Sequence, residues 1–149
     1  MYQFLREQSK KNANIKPVDF SQLFQGKTAY EVLQGVVQGY VNMNHQEKLL
    51  TFYKVIYSER SIQPMAARIV AEETERMIIA TKQLFYAMVI HKLLHFENAD
   101  MSAVSFAMTV HGLIDYELDQ KYGYDEEPKN LLDEYLKWFC TENQVEAGD

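Results

Sequence analysis

A single cysteine, Cys140, is the only thiol in the chain, so no disulfide can close within it. That fits a reducing compartment, and a cytoplasmic location is expected. Three prolines and six glycines are spread over 149 residues, and no stretch alternates β-branched with polar residues. Strands are therefore not expected, and the predicted class is all-α. No run of about 18 apolar residues occurs, so no membrane-spanning helix and no membrane partner are expected. The opening MYQFLREQSKK lacks the long apolar centre of a signal peptide. Basic residues are scarce: 15 Lys and Arg stand against 21 Asp and Glu, for a net charge of −6. Phosphate contacts need clustered cations, so this chain is not expected to bind nucleic acid by itself. There is no Gly-rich phosphate loop, no Gly-x-Ser-x-Gly elbow and no Glu-x-x-His pair. No enzyme activity and no cofactor are expected.

The residues present describe one helical domain over 1–149. Hydrophobic residues make up 47% of the chain and charged ones 24%, an ordinary globular balance. The most informative stretch is Asp100 to Tyr122. Val104, Ala107, Met108, His111, Ile114, Leu118 and Tyr122 recur in steps of three and four. Met101, Phe106, Val110 and Leu113 form a second stripe. One stripe is enough to seat a surface helix, so two imply burial on two sides, and another copy of the chain is the expected second cover. Asp100 is the expected N-cap and Gly123 the expected stop.

Earlier in the chain, Met1–Lys11 reads as a helix and Asn12–Lys27 as a connector carrying one amphipathic turn ended by Gly26. Thr28–Asn42 follows, opened by a Thr28/Glu31 capping box, with Gly35 and Gly39 placed for close helix approach or for ligand space. Asn44–Arg60, with a similar Asn44/Glu47 start, carries Phe52, Tyr53, Ile56 and Tyr57. Ser61–Leu94 is the longest periodic stretch, with Pro64 in its first turn. Its stripe runs Ala66, Ile69, Val70, Glu73, Met77, Ala80, Leu84, Met88 and His91, and its end, LFYAMVI, is apolar on all sides. Pro128–Asn143 closes the chain, and 144–149 is a loose tail. His91 and His95 sit four apart, a spacing that metal-binding imidazoles use, but no metal site is expected. Cys140, beside Trp138 and Phe139, is expected to be inert.

This order resembles the C-terminal regulatory domain of TetR/AcrR-type transcriptional regulators. LLTFYKVIYSER leading into Pro64-Met65-Ala66 looks like the family's sixth helix and the start of its seventh. NADMSAVSFAMTVHGLIDYELD looks like its eighth, and MYQFLREQ like the helix that joins the DNA-binding head. The helix-turn-helix head itself is absent from this sequence, so the resemblance gives DNA contact only through a missing N-terminal domain, and residues 1–11 would be a remnant of the connecting helix. It implies a multi-helix bundle of about six helices and a homodimer through the last two. Phe106, Val110, Leu113, Leu131, Tyr135, Trp138 and Phe139 are the candidates for that interface. It further implies a pocket for a small, mostly apolar effector, with Tyr53, Tyr57, Glu73, Phe85, Met88, His91 and His111 as candidate contacts. A stand-alone helical module that binds a different protein is the alternative.

Overall fold

The computed structural model describes residues 20–44, 47–124 and 130–146. They form six helices: α1 (Phe20–Phe24), α2 (Ala29–Asn44), α3 (Glu47–Glu59), α4 (Pro64–Ile90), α5 (Ala99–Tyr124) and α6 (Leu131–Glu142). No strand occurs among the described residues, and the chain is the all-α bundle that its composition predicts. No described helix is long and apolar enough to cross a membrane. The expected helix at Met1–Lys11, the Asn44/Glu47 side chains and the start of the last helix at Pro128 lie outside the described residues.

Local chemistry sets most of the helix ends. Gly26 takes φ +69° directly after α1, a conformation that glycine adopts without a Cβ clash. The Thr28 N–H donates to Glu31 Oε1, and the Glu31 N–H donates to Thr28 Oγ1, each at 3.2 Å. This is the reciprocal capping box read from the sequence. Pro64 occupies the first turn of α4.

Two other ends differ from expectation. The cap of α5 is Asn98, whose Oδ1 accepts from the Met101 N–H at 3.0 Å. Asp100 lies inside the first turn, and the helix runs through Gly123 to Tyr124. At the other difference, α4 stops at Ile90 rather than continuing to Leu94. Lys92 turns to φ +58°, its N–H bonds to Val89 O at 3.0 Å, and the Leu93 N–H bonds to Met88 O at 2.8 Å. That pair of bonds is a Schellman ending built on lysine instead of glycine, so the usual sequence signal is missing. A left-handed residue with a Cβ is strained by about 1 kcal/mol. Lys92→Gly is therefore expected to raise the urea midpoint by an amount equivalent to about 0.5–1 kcal/mol. A lower midpoint would show that the lysine side chain contributes more than the strain removes.

The helices pack as antiparallel neighbours. α4 and α5 make the most extensive contact, and α6 lies against both α5 and α2. One end of the bundle is filled with rings. Phe85 of α4 stacks on Phe96 at 4.7 Å between centroids and meets Phe106 at 5.2 Å and Phe139 at 5.6 Å. Phe106 and Phe139 lie 4.8 Å apart. Such tilted and offset pairs add to the apolar burial itself. Phe96 and Leu94 come from the short α4–α5 connection, which is tied down by the His95 N–H donating to Asn143 O at 2.8 Å. Val32, Leu33 and Val37 of α2 close the same core. A hydroxyl–carboxylate hydrogen bond from Tyr30 to Asp133 joins α2 to α6, and Lys137 approaches the same carboxylate at 3.1 Å. A separate small cluster of Ile56, Ala66 and Ile69 joins α3 to α4.

Several side chains are placed differently from the sequence reading. The second apolar face of α5 is covered by α6 of the same chain: Phe106, Val110 and Phe139 are buried in the monomer core. Met101 and Met108, read as stripe residues, are exposed. The LFYAMVI segment buries Leu84, Phe85 and Met88, while Tyr86, Val89 and Ile90 face outward, Ile90 at 77%. The packing of α5 on one side of α4 leaves that opposite side uncovered. Gly35 and Gly39 are exposed, with nothing within 4 Å of a Cβ built at either. They therefore do not bring a second helix close.

Cys140 packs at the edge of the ring cluster. Burial pushes its thiol up to about 11. Since the thiolate is the reactive form, alkylation by iodoacetamide at pH 8 is expected to be on the order of 100-fold slower in the folded chain than in urea. Equal rates would mean that the α6 edge opens readily.

Candidate functional site

At the end of the bundle away from the rings, α3, α4 and α5 line an open-sided cavity of ≈ 350 Å³. Helical spacing gives each wall one face. Tyr53, Lys54, Tyr57 and Ser58 come from α3. Glu73, Thr74 and Met77 come from α4. His111, Ile114, Asp115 and Leu118 come from α5, with Asp119 and Tyr122 one turn further on, and Tyr40 reaches in from α2. Where α4 and α5 face each other at this level, polar side chains replace the phenylalanines, and they keep the helices from closing on a dry core.

A chain of polar contacts crosses the cavity. Tyr53 Oη and His111 Nε2 are 3.1 Å apart, and His111 Nδ1 is 3.6 Å from Asp115 Oδ2. The carboxylate favours the imidazole proton on Nδ1, which leaves Nε2 to accept from the tyrosine hydroxyl. Tyr57 stacks on Tyr53 at 5.7 Å and lies 6.4 Å from the His111 ring. Arg76 Nη1 donates to Glu73 Oε1 at 2.8 Å, and the Thr74 hydroxyl donates back to Val70 O at 3.0 Å. The Lys54 ammonium lies 3.9 Å above the Tyr122 ring, and the Arg60 guanidinium lies 3.6 Å above Tyr57.

Burial sets the electrostatics of this wall. It raises the carboxyl of Glu73 above its usual range, against the opposing pull of Arg76. It raises Asp115 too, opposed by His111 and reinforced by the nearby Asp119. The Tyr53 phenol is also pushed up, first by burial and then by neighbouring phenols and carboxylates. The phenol stays a neutral hydrogen-bonding group, and burial disfavours the negative charge of Glu73 and Asp115.

Of the seven predicted ligand contacts, Tyr53, Tyr57, Glu73 and His111 converge here. Phe85 and Met88 lie instead in the closed ring core, fully buried. His91 is exposed at the far end of α4, where it ends the helix and meets the Phe24 ring edge at 5.1 Å. The α4 stripe slips off the buried face because α4 has ended by His91. For the same reason His91 and His95 do not share a helix, and among the described residues no three metal-type side chains converge. Asp115 and Asp119 were not among the candidates. Their signal was available, since they follow His111 at four and eight residues on one helix face.

The predicted interface residues divide as well. Phe106, Val110 and Phe139 are internal, Leu113 and Tyr135 are half-buried, and Leu131 and Trp138 are exposed. Glu117 Oε1 accepts from the Leu132 N–H at 3.4 Å and so fixes the start of α6 against α5. No family model matches this chain, and no curated protein or solved structure matches it either.

Proposed function

We propose that the chain is the effector-sensing and homodimerising domain of a TetR-like transcriptional regulator, acting on DNA through a helix-turn-helix head outside these residues. The observation that carries this reading is the ≈ 350 Å³ cavity between α3, α4 and α5. It has a small-molecule size and lies on the same long α4 that builds the ring core at its other end. A ligand seated there bears on α4 along one rigid element. It shifts that helix only if it binds one arrangement more tightly than another.

The test is a thermal-shift screen of small organic compounds against the full chain, followed by titration of variants with any compound that stabilises it. Tyr57→Ala is expected to weaken binding at least tenfold. His91→Ala, far from the cavity, is expected to leave it unchanged. No stabilising compound, or identical affinity in both variants, would sink the reading.

The second reading is a stand-alone helical module that binds a different protein. It is favoured by the exposed Ile79, Tyr86 and Ile90 on the open side of α4. A strictly monomeric chain without ligand response would move it ahead.

A further inference from the structure

The cavity wall carries three carboxylates, Glu73, Asp115 and Asp119, and one ammonium, Lys54. Glu73 is already paired with Arg76 at 2.8 Å, so Asp115 and Asp119 are the carboxylates left to meet a ligand. Among the described residues Asp119 forms no ion pair, and Asp115 faces only His111 within ion-pair distance. Four tyrosines, Tyr40, Tyr53, Tyr57 and Tyr122, contribute rings to the same wall. The face of such a ring is negative and attracts cations, most strongly where water is excluded.

Two cations of the chain already use these faces. The Lys54 ammonium sits over Tyr122 at 3.9 Å, and the Arg60 guanidinium sits over Tyr57 at 3.6 Å. Both belong to exposed side chains at the edge of the cavity. Lys54 and Arg60 therefore stand in for what a cationic ligand would do one ring further in. Tyr53 is the inner member of the stack with Tyr57.

The size is restrictive. A volume of ≈ 350 Å³ lies at the low end of small-molecule sites. An anion would meet the carboxylates of Asp115 and Asp119. A neutral hydrocarbon would leave the half-buried Asp115 without a countercharge beyond His111. An organic cation would offset the burial penalty of Asp115 and face the carboxylate of Asp119.

We propose that this cavity takes a small monovalent organic cation with an aromatic or alkyl body, its charge held between Asp115, Asp119 and the tyrosine faces. Met77, Ile114 and Leu118 receive the apolar body. This inference rests on the reading of the cavity as the effector site.

Three probes of nearly equal shape test it: phenyltrimethylammonium, tert-butylbenzene and benzenesulfonate, carrying charges of plus one, zero and minus one. Each is titrated into the full chain by ligand-observed NMR. The cation is expected to bind at least tenfold more tightly than the hydrocarbon, and the sulfonate weakest of the three. In the Asp115→Asn/Asp119→Asn double variant the preference for cation over hydrocarbon is expected to collapse, with tert-butylbenzene affinity kept. Equal or tighter binding of the hydrocarbon or the sulfonate overturns the cation proposal and leaves the effector-site reading standing. Binding of none of the three removes both. A preference that survives in the double variant also overturns the proposal, because the carboxylates would not be its source. The charge series on the parent chain decides the matter even if the double variant fails to fold.

Discussion

Phe85→Ala lowers the stability of the chain by about 3–5 kcal/mol. That magnitude is usual for deleting a buried ring where the surroundings relax only partly. Phe85 is fully buried and touches Phe96, Phe106 and Phe139. Its removal opens a void between α4, α5, α6 and the connection that carries Phe96. Since domains are stable by roughly 5–15 kcal/mol in all, the variant sits near the edge of folding at 37 °C. Urea titration followed by circular dichroism reads the loss directly. The same variant distinguishes the two regions of the bundle. Phe85 lies outside the cavity wall, so the fraction that stays folded keeps its affinity for a cavity ligand. A loss of stability under about 1 kcal/mol would mean that the ring cluster is loosely packed. Weakened ligand binding by folded Phe85→Ala would bring that residue back among the contacts.

The placement of Phe85 shows what the sequence could and could not reveal. Helical periodicity located every described helix to within a few residues, because apolar side chains at steps of three and four must share a face. The Thr28/Glu31 box marked its helix start for the same local reason. What periodicity could not assign was the partner of each face. Leu84 and Met88 share a stripe with Glu73, and one line of spacing covers both the cavity wall and the closed core. The difference is made by what faces α4 from α5: phenylalanine and alanine near one end, His111 and Asp115 near the other. The end of α4 was hidden because Lys92 occupies a left-handed position that glycine usually marks. That single residue removes His91 from the buried face. Similarly, two apolar stripes on α5 signalled burial on two sides, which holds for Phe106 and Val110 but not for Met101 and Met108. The sequence carried no means of telling that α6 of the same chain supplies the second cover.

Met101 and Met108, members of the two α5 stripes that stay uncovered, lie on one exposed line of that helix, and the dimer proposal now rests on it. Met101, Ser105, Met108, Gly112 and Tyr116 follow one another by three or four residues, and all are exposed. Large apolar groups alternate with a serine and a glycine, so a second helix can seat its side chains in the gaps. Leu131 and Trp138, the latter 56% exposed, continue the apolar surface on α6. In a twofold dimer the same patch meets itself, and Met108, 50% exposed, lies at the middle of the line. Met108→Glu would place a carboxylate from each copy against the other with no cation to pair them. The dimer dissociation constant is expected to rise by two to three orders of magnitude, or about 3–4 kcal/mol. The monomer fold should stay within about 0.5 kcal/mol, because the site is on the surface. Sedimentation equilibrium over a concentration series measures this. Ile90→Glu, on the open side of α4, is the matched control and should leave the dimer intact. If the parent chain sediments at its monomer mass of 17.5 kDa at every concentration, the dimer is gone from the proposal. If Ile90→Glu separates the copies and Met108→Glu does not, the copies meet through α4. The face that would then need a partner is the α5–α6 surface, and the module reading would inherit Trp138 as its anchor.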